Sequence, residues 1–178
     1  MKTLYIAADP GKNGAYVCID EDSVIVNYMV TPRISKDGPV DLNAIYAWLI
    51  DLSSRYPEDE SRLVLNIEDV HALYGVSVSA TSSLMENKGQ IHGLFAFLAN
   101  QRKNTSIHFI PPKEWQKTVW MHHDKVMKAG KVDTKATSLN CAKRLWANEK
   151  FLASEKCKKA HDGIVDALLI AETARRLF

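Results

Sequence analysis

Arg62-Leu63-Val64-Leu65-Asn66-Ile67-Glu68 is the stretch on which the fold turns, because its apolar residues fall at both odd and even positions. Successive side chains of a strand point to opposite faces, so a run apolar on both is a central strand covered on both sides. Upstream, Lys2 to Ala8 is a β-prone run stopped by Asp9-Pro10-Gly11, and Ala15 to Ile19 and Ser23 to Val30 flank the polar turn Asp20-Glu21-Asp22. These three runs predict an antiparallel meander. Between the meander and Arg62, Asp41 stands at an N-cap position before Leu42, Ile45, Leu49 and Leu52, whose spacing is that of an amphipathic helix ending near Tyr56-Pro57.

Downstream of Glu68, the Gly, Ser and Thr content of His71 to Ser83 predicts a loop, and Leu84 to Asn100 a second helix. Thr105 to Ile110 reads as the last strand, and Pro111-Pro112 opens a helical PKEWQKTVW segment. Met121 to Asp133 has no period and is expected to be mobile. Thr134 to Trp146 is helical, Ala147 to Ala160 a polar connection, and Asp162 to Leu177 a closing helix. This order is α/β: a mixed five-stranded sheet, three strands antiparallel and two parallel, flanked by α-helices.

The chain has 178 residues, 46% hydrophobic and 25% charged, values that exclude disordered and fibrous classes and suit a single domain over 1–178. Cys18, Cys141 and Cys157 are odd in number and lack metal-site spacing, which argues against a disulfide scaffold or a zinc ribbon and for a reducing compartment. The N-terminal apolar run is short for a signal peptide, and no stretch approaches the ~20 apolar residues of a membrane span. A cytoplasmic protein without membrane contact is expected.

The net charge of +2 conceals a polarity. Residues 1–101 hold seven Lys/Arg against thirteen Asp/Glu, and residues 102–159 hold fourteen against five. A basic block beside acidic segments is what a polyanion-binding surface next to a cation-binding centre requires, and a solvated Lys-rich helical surface would read the same way.

Four acids lie beside apolar runs. Asp9 ends the first strand and Glu68 the fourth, so in a sheet that pairs these strands both carboxylates converge at one edge. Asp162 and Asp166 are one helical turn apart on one face. Like charges at that spacing repel, and Asp166 leads into the apolar Ala167-Leu168-Leu169-Ile170-Ala171, which packs inward. Taken singly, Asp9 also fits a turn former, Glu68 a surface ion pair and Asp162 an N-cap. Taken together they fit a hard divalent cation, Mg²⁺ or Mn²⁺.

The segments IAADPGKNG, LNIEDVHA and HDGIVDALLIAE, in that order, resemble the RuvC-like Holliday junction resolvases of the RNase H superfamily, the small phage and bacterial type. Gly89-Gln90-Ile91-His92-Gly93 and the Pro-x-x-Trp of Pro112-Lys113-Glu114-Trp115 extend the likeness over nearly the whole chain. The resemblance implies an RNase H-like fold and a homodimer that nicks a four-way DNA junction symmetrically in the bacterial cytoplasm, with a phage source favoured. It implies no small-molecule cofactor but two Mg²⁺ ions per site, Mn²⁺ substituting, held by Asp9, Glu68, Asp162 and Asp166. Family members often carry a lysine directly after the Trp, where this chain has Gln116 and then Lys117 as its replacement. Lys135 matches a second basic position, with Lys131 competing for it. His161 is expected as a proton carrier or a partner of Asp162, and His71 and Tyr74 as a wedge stacking on a base at the crossover. Lys88, Lys113, Lys117 and Arg102 are expected at the DNA backbone or in solvent, and Lys125, Lys128 and Lys131 as a clamp that orders on DNA.

Other readings remain: an RNase H-like nuclease acting on RNA:DNA hybrids, forks or flaps, and a non-catalytic reader of branched DNA. The intact carboxylates weigh against the second. An actin-like phosphotransferase would need two large domains.

Overall fold

In the computed structural model, described for residues 1–36, 38–71 and 77–178, one five-stranded sheet carries the chain. The strands are β1 (Lys2–Ala8), β2 (Ala15–Asp20), β3 (Ile25–Val30), β4 (Ser61–Glu68) and β5 (Thr105–Ile110), in the order β3-β2-β1-β4-β5. β1–β2 and β2–β3 are antiparallel, whereas β1–β4 and β4–β5 are parallel. The doubly apolar β4 run therefore lies between two parallel neighbours, as its pattern demands. Its register sets Ala8 beside Ile67, so Asp9 and Glu68 leave the sheet at the same edge.

Two cores follow from the alternation along the strands. Leu4, Ile6, Leu63, Leu65 and Ile67 face α1 (Leu42–Arg55) and α2 (Val78–Gln101), which contribute Ile45, Leu49, Leu52, Ile91, Phe95 and Leu98. The opposite face, with Ala7, Val17 and Val64, is covered by α5 (Asp162–Leu177), supported by α3 (Pro112–Val119) and α4 (Thr134–Leu145). Nearly the whole of α5 from Gly163 to Ala174 is buried, which explains the apolar run behind Asp166.

The structure departs from expectation in four places. β3 starts at Ile25 instead of Ser23, because Asp20 Oδ1 accepts from the amides of Asp22 and Val24 and holds Ser23 at a left-handed φ of 64°. α2 begins at Val78, inside the expected His71–Ser83 loop: the Ser77 hydroxyl accepts from Ala80 N and caps a polar first turn that has no apolar signature. Met121–Asp133 is not without structure. It forms a 3₁₀ turn (His122–Asp124) and a hairpin of β6 (Met127–Lys128) and β7 (Lys131–Val132), tied to α4 by the buried Asp124 and the Arg144 guanidinium, 2.8 Å apart. Arg102 is neither a DNA contact nor solvated. Only 5% exposed, it donates to carbonyls of Ser53, Tyr56, Pro57 and Ser61, joining the end of α2 to those of α1 and the start of β4. No helix among the described residues is long and apolar enough to cross a membrane.

Candidate active site

The edge at which β1 and β4 end is closed by α5. Gly163 sits where the helix meets the turn after Asp9, and a Cβ there would lie 2.3 Å from Asn13 O and 2.7 Å from Gly14 Cα. A Cβ on Gly14 would in turn lie 2.0 Å from Asp9 O. Two glycines thus let backbone meet backbone, and that approach brings the start of α5, with Asp162 and Asp166, up to the turn that carries Asp9.

Each carboxylate has a distinct setting. Asp9 Oδ1 accepts from Gly11 N at 3.0 Å, while burial pushes its carboxyl above the usual range. Glu68 Oε1 accepts from Trp115 Nε1 at 2.9 Å. Burial first, then the charges of Asp9 and Asp166, raise Glu68 to about 7 against the opposing Trp115 bond. Asp166 is likewise raised to about 7 by burial and by Asp9, opposed by the neighbouring Ser138 side chain. Asp9, Glu68 and Asp166 are each only partly exposed, and the charge of Asp9 raises the proton affinity of the other two, with too little positive charge nearby to offset it. Asp162 differs: its side chain is 56% exposed and its Oδ2 pairs at 2.6 Å with Lys135 Nζ.

Among the described residues no group of three or more His, Cys, Asp or Glu side chains closes to metal-binding distance. The chemistry of the donors nevertheless fits a hard divalent cation. All are oxygens, three are partly buried with raised proton affinity, and the fourth is held at the rim by an ammonium that a cation would replace. Burial lowers the proton affinity of His161, whose Nδ1 is buried with no partner among the described residues. It directly precedes Asp162 and its backbone N donates to Phe151 O, locking the entry to α5.

Trp115, which donates to Glu68 Oε1, is an orienting contact that residue-by-residue reading passed over, although the Pro-x-x-Trp motif carried a signal for it.

The basic residues separate into two groups. Lys88 is not a free cation: it is half-buried, pairs with Asp69 and donates to Val70 O. Lys113, Lys117, Lys125, Lys128, Lys131 and Lys135 are exposed. Lys125 precedes the β6–β7 hairpin, and Lys128 and Lys131 pair across it. His71 is exposed beside Asp69 at 3.3 Å, and Tyr74 lies outside the described residues.

No protein-family model matches the chain, and no curated protein sequence matches it. Solved structures do. A T. thermophilus RuvC in complex with a Holliday junction substrate superposes with a TM-score of 0.56 at 14% identity, covering 97% of this chain and 91% of the other. A second Thermus thermophilus RuvC structure gives a TM-score of 0.56 at 16% identity, covering 97% and 92%. The chain has the RNase H-like fold of these proteins, over nearly its whole length.

Proposed function

We propose that this chain is a structure-selective endodeoxyribonuclease that resolves four-way DNA junctions by paired, symmetric, divalent-metal-dependent nicks. The observation that carries the reading is the convergence of Asp9, Glu68 and Asp166, partly buried and with the charge of Asp9 raising the other two, where β1, β4 and α5 meet. A carboxylate cluster of this kind weakens the metal-free fold, and cation binding offsets that cost. The fold likeness to a protein held on a Holliday junction supports the choice of substrate.

Asp9, Glu68, Asp162 and Asp166 would hold two Mg²⁺ ions, with Mn²⁺ as a substitute. Bound there, the ions supply activation of the attacking water and stabilisation of the leaving 3′ oxygen. The chain's own groups do the rest. Trp115 Nε1, donating to Glu68 Oε1 at 2.9 Å, holds that carboxylate oriented for its ligand. Lys135, released once Asp162 turns inward, offers its ammonium to a phosphate oxygen at the rim. His161, neutral because it is partly buried, is placed to accept a proton next to Asp162.

DNA follows the exposed lysines Lys113, Lys117, Lys125, Lys128 and Lys131, with His71 and Tyr74 at the crossover. A homodimer places one such site on each of two opposed strands, since a two-fold substrate calls for a two-fold enzyme. Its place of action is the bacterial cytoplasm, where that DNA lies, with a phage source favoured.

The test is cleavage of a labelled mobile four-way junction with Mg²⁺, beside linear duplex, a Y-fork and an RNA:DNA hybrid, for the parent and Asp166→Asn. Paired nicks near the crossover are expected for the parent, and binding without cutting for the variant. Cutting of the hybrid or fork with the junction spared would overturn the substrate. Junction binding without cleavage in either Mg²⁺ or Mn²⁺ would overturn the enzyme.

A further inference from the structure

The β6–β7 hairpin is a two-stranded sheet of its own. Its register sets Met127 opposite Val132 and Lys128 opposite Lys131. Side chains directly across an antiparallel pair share a face, and successive pairs take opposite faces. One face of the ribbon is therefore apolar and the other cationic. The turn residues Ala129 and Gly130 both have left-handed φ, 48° and 77°, the pattern of a tight two-residue hairpin. Such turns favour Asn or Asp at the first position, whereas this tip presents a methyl group and no polar or anionic side chain.

Both faces carry a cost that nothing within the hairpin offsets. Met127 is 60% exposed and Val132 38%, and neither belongs to a core of the large sheet among the described residues. Lys128 and Lys131 are like charges directly opposite one another, which repel. The two acids of residues 121–133 do not answer them: Asp124 is buried against Arg144, and Asp133 Oδ1 accepts from Ala136 N as the cap of α4. The ribbon is nevertheless firmly mounted. Val126 N donates to Thr137 Oγ1 at 3.0 Å, Asp133 N to Val126 O at 2.8 Å and Asn140 Nδ2 to Asp124 O at 3.2 Å. Its place is beside the catalytic edge, because Val132 comes three residues before Lys135, whose Nζ lies 2.6 Å from Asp162 Oδ2.

We propose that the hairpin is a wedge: Met127 and Val132 enter the base stack of the cleaved strand next to the carboxylates, while Lys128 and Lys131 take the phosphates that flank the opened step. This rests on the nuclease reading for its DNA, and it adds a base contact separate from His71 and Tyr74. An opened base step exposes an apolar surface bordered by phosphates, which matches a ribbon with one apolar and one cationic face, and at a branch the opening costs least. A second copy of the chain fits less well, since two such ribbons packed together would gather the lysines of both.

The experiment places 2-aminopurine, whose fluorescence rises on unstacking, singly along the cleaved strand of a four-way junction held in EDTA with saturating protein. The proteins are the parent, the pair Met127→Gln with Val132→Thr, the pair Lys128→Gln with Lys131→Gln, and His71→Ala, with affinities and melting temperatures measured in parallel. The parent should raise the fluorescence at a position near the crossover. The Met127→Gln, Val132→Thr pair, polar but similar in shape, should abolish that rise and bind the junction about ten-fold more weakly, with duplex affinity and salt slope as in the parent. The lysine pair should instead make the slope shallower by up to about two on junction and duplex alike. His71→Ala should keep the rise. All four hairpin positions are exposed, and Met127→Gln alone carries the same test if the apolar pair lowers the melting temperature.

No rise at any position in the parent, a rise that survives in the apolar pair, or one lost only in His71→Ala would overturn the wedge. So would sedimentation showing that the apolar pair loses a dimer while unstacking persists, which would give this face to a second copy. Cleavage in Mg²⁺ assayed beside the fluorescence separates the wedge from the nuclease reading. A parent that unstacks the branch through Met127 but never cuts keeps the wedge and loses the nuclease. A parent that cuts while every 2-aminopurine stays stacked keeps the nuclease and loses the wedge.

Discussion

Asp166 shows how a single residue can serve function against stability. Its carboxyl, at about 7 in the fold, stands near 4 in an unfolded chain, so folding takes up a proton between these values. The stability associated with that proton is fully present below pH ~4 and is lost as pH rises through about 7. Glu68, also at about 7, acts in the same direction. In EDTA the parent melting temperature should therefore fall from pH 5 to pH 8, and Mg²⁺ should restore it at pH 8. Asp166→Asn, neutral at every pH, should melt above the metal-free parent at pH 8 and show a smaller fall from pH 5, while losing cleavage. Differential scanning fluorimetry over pH with and without Mg²⁺ reads all three, and a flat parent profile in EDTA would contradict carboxylates of raised proton affinity at this site. The identity of these acids was legible in the sequence because each stands beside an apolar run. The frustration was not, since it depends on which carboxylates lie near one another and on the donor Trp115, which comes from another element.

At the scale of elements, the site depends on how closely α5 meets the turn between β1 and β2. Gly163→Ala would set a methyl group 2.3 Å from Asn13 O, and backbone has no alternative rotamer with which to yield. The helix must retreat, taking Asp162 and Asp166 with it. The expected cost is about 1–3 kcal/mol of stability, with cleavage falling by at least two orders of magnitude while junction binding persists. Chemical denaturation beside a cleavage assay tests this, and a variant that folds and cuts like the parent would show that the contact is not needed. The sequence periods located α1, β4, β5 and α5 well because burial on one face or both writes itself into the pattern. They failed where polar bonds set the boundary: Ser77 starting α2 early, Asp20 delaying β3, and Asp124–Arg144 organising the segment around the hairpin.

For the molecule as a whole, the polarity of charge along the chain becomes a difference between regions. Lys125 after the 3₁₀ turn and the exposed lysines of the hairpin and α3 belong to the half of the chain that carries the cationic excess. Replacing Lys125, Lys128 and Lys131 together with Ala should make the slope of log affinity against log salt shallower by up to three and weaken junction and duplex binding alike. Unchanged slopes in a titration by fluorescence anisotropy would remove the hairpin from the DNA path. Not every cation in that excess contributes: Arg102 serves the interior, while Arg144 holds the hairpin segment. The sequence by itself determined the α/β order, the sheet edge at which Asp9 and Glu68 end and the helical turn shared by Asp162 and Asp166, because these follow from local period and residue type. Tertiary structure alone decided that α5 closes on that edge and that Arg102 and Lys88 are committed within the protein. Those outcomes depend on contacts between residues far apart in the chain, which no local pattern encodes.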